Sequence, residues 1–230
     1  MATLCRELGT SESSVRRDLA ALEQAGVLRR VHGGAMAAEA RAEVYDYSRH
    51  TERAAEEKRD IGRRAAALVE DGTTIILDGG TTVAAMAREL LARSLHVITN
   101  SVSIAQVLSA SRSVEVTLTG GVLYPRLGVL LGPFCEDMLG QVSADAAIMG
   151  IGGVTETGLS NNNTLLVGTE KRMIAAARRV IILADHGKFG RAAMVPLAPL
   201  DVVDVMVSDA GLEEKHRRLV RRHGIDLQLA

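Results

Sequence analysis

From Ala54 onward, short apolar runs alternate with stretches of helical periodicity. Thr73–Leu77, Leu95–Thr99, Val114–Thr119, Ala146–Gly150, Val180–Ala184 and Val202–Val207 read as strands. Ala54–Glu70, Thr82–Ala92, Val102–Ala110, Phe134–Gln141, Leu165–Arg178 and Glu213–His223 read as helices. Short, continuously apolar strands between helices predict an α/β domain with a parallel sheet covered on both faces; an antiparallel α+β domain is the alternative. Residues 1–35 differ, with short helical patterns ending at His32-Gly33-Gly34, and 36–53 are mixed and polar, with Tyr45 and Tyr47 among Glu, Asp and Arg. The expected organisation is a small domain at 1–35, a linker at 36–53 and a larger domain at 54–230.

Composition narrows the function classes. The formal charge of the 230 residues is −1, so any contact with nucleic acid must come from a local patch. With 3 Tyr, 2 Phe and no Trp, there is little for a base-stacking platform. Cys5 and Cys135 are far apart and read as reduced thiols. No apolar run approaches ~18 residues and no signal peptide is evident, so a cytoplasmic protein without membrane contact is expected.

In the first zone, Ala2–Leu8 reads as a helix, Gly9-Thr10-Ser11 as a break, and Ser11 as the N-cap of a helix Glu12–Ala25. Val15, Leu19 and Leu22 are expected to face inward. Ser13, Ser14, Arg16 and Arg17 then lie around the exposed N-terminal side, where a recognition helix carries its base and phosphate contacts. Val27–His32 alternates apolar with basic residues, placing Arg29, Arg30 and His32 on a small β-wing. A helical hairpin with a solvated, Arg-rich face has the same pattern.

In a parallel sheet, ligands sit beyond the carboxyl ends of the strands. The first strand is followed by Asp78-Gly79-Gly80-Thr81-Thr82 leading into a helix, with bare backbone, hydroxyl donors and free N–H groups suited to a phosphate. A tight connection with Asp78 as a cap would look similar. Asn100-Ser101, Gly120-Gly121, Gly150-Ile151-Gly152-Gly153 and Asp185-His186-Gly187-Lys188 follow later strands. Lys188 can pair with a phosphate or a sugar oxygen. Asn161-Asn162-Asn163 either faces sugar hydroxyls or forms a polar turn.

Ser11-Glu12-Ser13-Ser14-Val15-Arg16-Arg17-Asp18-Leu19, then Leu22-Glu23, Gly26 and His32-Gly33-Gly34-Ala35, resembles the winged helix-turn-helix of the DeoR family of bacterial repressors. The second zone resembles that family's sensor domain, similar in fold to ribose-5-phosphate isomerase. The matching residues are Glu57-Lys58 with Ile61, Asp78 to Thr82, Thr99-Asn100-Ser101, Gly120-Gly121, Gly158 to Ser160, Lys171-Arg172 with Met173-Ile174, and Ala184-Asp185 with Lys188-Phe189-Gly190. The resemblance implies a repressor with operator DNA as partner, a phosphorylated sugar or polyol as effector, and a homo-oligomer built through the sensor domains. Members of the family carry a further helix before the one at Ala2; its absence implies a truncated helix-turn-helix with weak operator binding. The family commonly has Ser at the position of Gly79, and often a Ser before the lysine where this chain has His186-Gly187.

An active sugar-phosphate isomerase is the rival reading. The isomerases resembled carry an Asp-rich loop after the fourth strand and a Glu on the next helix. Glu170 stands at the second place, but Gly150–Gly153 offers no carboxylate at the first, so binding without turnover is expected. No nucleotide, hydrolase or zinc-protease motif occurs, and the 6 His lack ligand spacing, so neither cofactor nor metal is expected. The effector site expected from strand ends and resemblance together is Asp78, Gly79, Gly80, Thr81, Thr82, Asn100, Ser101, Gly120, Gly121, Gly152, Gly153, Glu170 and Lys188.

Overall fold

The computed structural model describes residues 5–7, 9–24, 28–31, 34–37 and 54–230, with backbone alone for 24, 28–31 and 34–37. The chain divides into two units, Met1–Val44 and Tyr45–Ala230. In the first, residues 5–7 are helical and the chain turns through Gly9 at φ 61°, a left-handed conformation that glycine adopts without steric cost. Helix α1 (Glu12–Gln24) follows, and the Ser14 N–H donates to Ser11 Oγ at 3.3 Å, satisfying one of the free donors of its first turn. Val15 is buried and Leu19 half-buried. Leu22 was expected to face inward but is 41% exposed: periodicity names the face of a helix, and only packing decides how far along the axis that face is covered. Strands β1 (Leu28–Val31) and β2 (Gly34–Ala37) pair antiparallel as the expected wing, which runs into the segment read as linker. The rest of that segment, 38–53, lies outside the described residues, as does His32.

The second unit starts with helix α2 (Ala55–Ala66) and then alternates strand and helix: β3 (Thr74–Leu77), α3 (Thr81–Glu89), β4 (Leu95–Thr99), α4 (Val102–Leu108) and β5 (Val114–Leu118). A hairpin, β6 (Val122–Tyr124) and β7 (Val129–Leu131), leads to α5 (Pro133–Leu139) and β8 (Ala146–Gly150). Next come β9 (Gly153–Thr155), β10 (Gly158–Asn161), α6 (Thr164–Ala175), β11 (Val180–Leu183), β12 (Val195–Ala198), β13 (Val205–Ser208), α7 (Glu214–Arg222) and β14 (Asp226–Leu229). Seven strands form one sheet in the order β14-β13-β11-β8-β3-β4-β5, and every neighbouring pair is parallel.

The two-residue period of a strand sends alternate side chains to opposite faces. Ile75, Leu77 and Ile148 pack with Ile61, Met86 and Ile104 of α2, α3 and α4. Ile76, Ala147, Met149 and Ile182 pack with Leu139, Met173 and Leu219 of α5, α6 and α7. Both faces are covered, which is why these strands are apolar at every buried position; each fully buried Ile or Leu is worth roughly 1.5–3 kcal/mol. The last expected strand starts later than its apolar run, because Leu200–Val202 forms a 3-10 turn after Pro199. The hairpin β6-β7, the antiparallel sheet β12-β10-β9 and the edge strand β14 are additions to the expected plan.

Candidate effector site and DNA-reading helix

The order of the sheet places the site. From β3 the chain moves outward to β4 and β5, then returns to the other side of β3 to lay down β8, β11, β13 and β14. The reversal opens a crevice beyond the carboxyl ends of β3 and β8, the position where open α/β sheets bind ligands. Two glycines face each other there, since a Cβ on Gly80 would stand 4.0 Å from Gly150 Cα. Helix α3 begins immediately afterwards with Gly80 as its N-cap and no side chain capping it. Its first-turn N–H groups therefore point into the crevice for an anion. Thr81 is half-buried and Thr82 buried beside them.

Beneath this cradle lies a cluster of buried polar side chains. Asp78, Asn100, Thr169 and Glu170 are each at most 2% exposed. Asn161 Nδ2 donates to Glu170 Oε1 at 2.6 Å, and Asn100 Nδ2 donates to Leu130 O at 3.3 Å. Among the described residues, Asp78 Oδ1, Asn100 Oδ1, Thr169 Oγ1 and Glu170 Oε2 have no hydrogen-bond partner. A buried, unpartnered polar atom costs about 1–3 kcal/mol, so four carried by one cluster identify it as built for something other than stability.

Burial pushes the Asp78 carboxyl up to about 6, against the opposing pull of the Gly79 and Gly150 N–H groups. Glu170 is pushed well above the usual carboxylate range, first by burial and then by the Asp78 charge, with the Asn161 bond opposing. The Asp78 charge thus favours the protonated form of Glu170. The cluster offers a hydroxyl-bearing ligand unpartnered carboxyl oxygens at Asp78 and Glu170 and an amide oxygen at Asn100.

On α1, Arg16 lies against Glu12 at 2.6 Å, one helical turn back, and both are exposed. Arg17 and Ser13 are exposed, Ser14 is half-buried, and Ser11 Oγ lies 2.8 Å and 3.0 Å from the hydroxyls of Ser13 and Ser14. The N-terminal end of the helix thus presents hydroxyls and guanidinium groups on one side.

A family model described as "DeoR C terminal sensor domain" matches residues 53–210, and one described as "DeoR-like helix-turn-helix domain" matches 1–41. The chain belongs to the DeoR family. The HTH-type transcriptional repressor GlcR of Bacillus subtilis is 35% identical over 97% of this chain and 87% of its own length. The glycerol-3-phosphate regulon repressor of Escherichia coli is 32% identical over 98% of this chain and 90% of its own. A chain of the tetrameric eIF2B-beta2-delta2 complex from C. thermophilum aligns at TM-score 0.51 and 14% identity, covering 74% of this chain and 61% of that one; it shares the fold. This DeoR-family chain is a DNA-binding transcriptional regulator and not an enzyme.

Within the DeoR-family sensor unit, the residues expected at the site separate into groups. Asp78, Gly80, Thr81, Thr82, Asn100 and Glu170 belong to the crevice and its buried cluster. Gly79 adjoins it, but a Cβ there would lie 2.0 Å from Val129 Cγ1, so β7 fills the space where a serine would stand. Ser101 is engaged by the fold, capping α4 through Ile104 N at 3.4 Å. A Cβ on Gly121 would meet Leu131 O at 2.7 Å, and one on Gly153 would meet Arg191 O at 2.2 Å; both glycines admit a neighbouring backbone. Gly120 lies against Phe134, and Gly152 against Asn161 and Ser160. Lys188 is half-buried in the turn after β11. Arg29 and Arg30 lie in β1, where the backbone alone is described.

Sequence reasoning missed Asn161 as the partner of Glu170, Thr169 beside it, and Lys58, which is buried on the inner face of α2. The amide-rich run contained the signal: Asn161 turns to Glu170, while Asn163 caps α6 by accepting from Leu165 N and Leu166 N. Lys58 stood among the residues of the resemblance, but a single lysine in a charged helix does not announce its burial.

Proposed function

We propose that this regulator represses an operon for carbohydrate use, and that a phosphorylated sugar or polyol bound between β3 and β8 sets its operator affinity. The observation that supports it most is the convergence of the uncapped α3 N-terminus with four unpartnered buried oxygens at the reversal of the sheet. The phosphate sits on the α3 amides with the Thr81 and Thr82 hydroxyls. Asp78, Asn100 and Glu170 take the hydroxyl groups, and Lys188 pairs with oxygens at the far end of the ligand. A relative named for the glycerol-3-phosphate regulon supports the same ligand class. Arg16 and Arg17 hold DNA phosphates or bases, with Ser11, Ser13 and Ser14 supporting and Arg29, Arg30 and His32 contacting DNA from the wing. The effector acts by binding the DNA-competent and DNA-incompetent arrangements with different affinity, carried by the segment between the two units.

The regulator acts in the cytoplasm as a homo-oligomer through its sensor unit. Exposed Leu118 of β5, Val122 and Leu123 of β6 and Phe134 of α5 support an apolar interface. Among the described residues, no helix is long and apolar enough to cross a membrane.

Phosphorus NMR of the protein with a panel of sugar and polyol phosphates tests the effector reading. Selective broadening of one resonance is expected, with no new peak over hours. Lys188→Ala should remove the effector's influence on operator binding while operator affinity itself persists. Broadening of none, or a growing product resonance, would overturn the reading.

A further inference from the structure

Beyond the crevice, the carboxyl ends of β11 and β13 carry a second built feature. Asp209 is 5% exposed and both its oxygens are engaged. Oδ2 accepts from the His186 N–H at 2.7 Å; Oδ1 lies 2.7 Å from His186 Nδ1 and accepts from the Gly211 N–H at 2.9 Å. One buried carboxylate thus grips both the backbone and the ring of His186. This makes Nδ1 the donor to Asp209 and leaves Nε2 for a partner outside the protein. The His186 side chain is 48% exposed, so a ligand can reach it. The ring rests on bare backbone, since a Cβ on Gly211 would stand 2.9 Å from Nδ1.

The surrounding charges favour the protonated ring. The bond to Asp209 raises the His186 pKa most, burial opposes it, and the charges of Asp209, Asp185 and Glu57 add to the rise. Asp185 in turn is turned inward, its Oδ1 accepting from Gly187 N at 3.1 Å. Of the three carboxylates that act on the ring, Asp209 and Asp185 are therefore engaged by the protein itself, and the third, Glu57, is half-buried on α2. What the turn offers a ligand is the half-exposed His186 ring, biased toward its protonated form, two residues from Lys188.

Register places this turn relative to the phosphate cradle. Leu183 pairs with Gly150 and Leu77 with Ile148, so the end of β11 is level with Gly79, with β8 between them. At the backbone these two strand ends are two strand spacings apart, roughly 10 Å, and His186 extends from the end of β11 toward Asp209, which follows β13. The geometry points to an effector with two anionic groups, a phosphate on the α3 N-terminus and a second phosphate or a carboxylate on His186. This inference rests on the phosphate reading of the α3 cradle.

Calorimetric titration of the full chain with fructose 6-phosphate, fructose 1,6-bisphosphate and 6-phosphogluconate tests it. A ligand with two anionic groups is expected to bind about tenfold or more tightly than the monophosphate, the gain of one charge-assisted hydrogen bond. Which of the two binds better tells phosphate from carboxylate. His186→Gln should erase the preference, and His186→Lys, which restores a cation, should bring it back; thermal melting of each variant checks that it folds. Equal binding of all three compounds by the wild type, or an undiminished preference in His186→Gln, would overturn the role of His186 and leave the cradle standing. Failure of every compound to bind would overturn both readings.

Discussion

Replacing Asp78 by asparagine should make the sensor unit more stable and insensitive to its effector. The carboxyl is 2% exposed and its pKa rises from 3.8 to about 6, with burial as the main cause. A carboxylate whose folded-state pKa is raised supports the fold below its unfolded pKa and loses that contribution as pH rises through the folded value. A rise of this size costs the folded state about 3 kcal/mol at pH 8, and linkage leaves about 1 kcal/mol of that cost at pH 4.5. Asparagine has nearly the same shape, can accept from the Gly79 and Gly150 N–H groups, and carries no charge against Glu170. The stability of Asp78→Asn relative to wild type should therefore grow by about 2 kcal/mol between pH 4.5 and pH 8. At pH 8 the melting temperature should rise by roughly 6–12 °C. Urea unfolding at both pH values, followed by circular dichroism, measures this; operator binding with and without effector measures the loss of response. An unchanged difference between the two pH values would refute the burial argument. Retained response would remove Asp78 from the site.

Gly79→Ser should destabilise the unit by about 1–3 kcal/mol through overpacking against Val129, and Val129→Ala in the same chain should recover most of it. A double-mutant cycle in urea unfolding checks the coupling, and additive losses would contradict it. Ser11→Ala should cost the first turn of α1 about 1 kcal/mol, seen as weaker operator binding in fluorescence anisotropy, and Ser11→Asn should restore it. Arg17→Ala should weaken operator binding by about 1–3 kcal/mol at one base position. A uniform loss across operator sequences would mark Arg17 as a phosphate contact instead.

Much of the fold was legible because burial on two faces leaves a local trace. The buried positions of β3, β8 and β11 had to be apolar, and the helices between them amphipathic or apolar, whatever their final neighbours. The three-residue strands β6, β7 and β9 are too short to show a period, and β14 is an edge strand whose polar Asp226 and Gln228 interrupt it. Gly120, Gly121, Gly152 and Gly153 stand close to Phe134, Leu131, Ser160 and Arg191, and a glycine approached by a ligand and one approached by its own chain have the same sequence. Leu22 followed the helical period of Val15 and still lies in solvent.

The local pieces of this regulator are written in consecutive residues. Ser11 ahead of a helix rich in arginine, the alternation of apolar strands with helices, and Asp78-Gly79-Gly80-Thr81-Thr82 between a strand and a helix each follow from short-range stereochemistry and hydrogen bonding. The burial of Asp78 near Glu170, the bond of Asn161 to Glu170, and the grip of Asp209 on His186 depend on which elements become neighbours. That is settled by the order of the sheet, where the chain reverses at β3 to cover both faces of the core. A carboxylate pair is perturbed only once it is buried together, and burial is a property of the whole fold. The residue types were set along the chain, and their chemistry was set by tertiary packing.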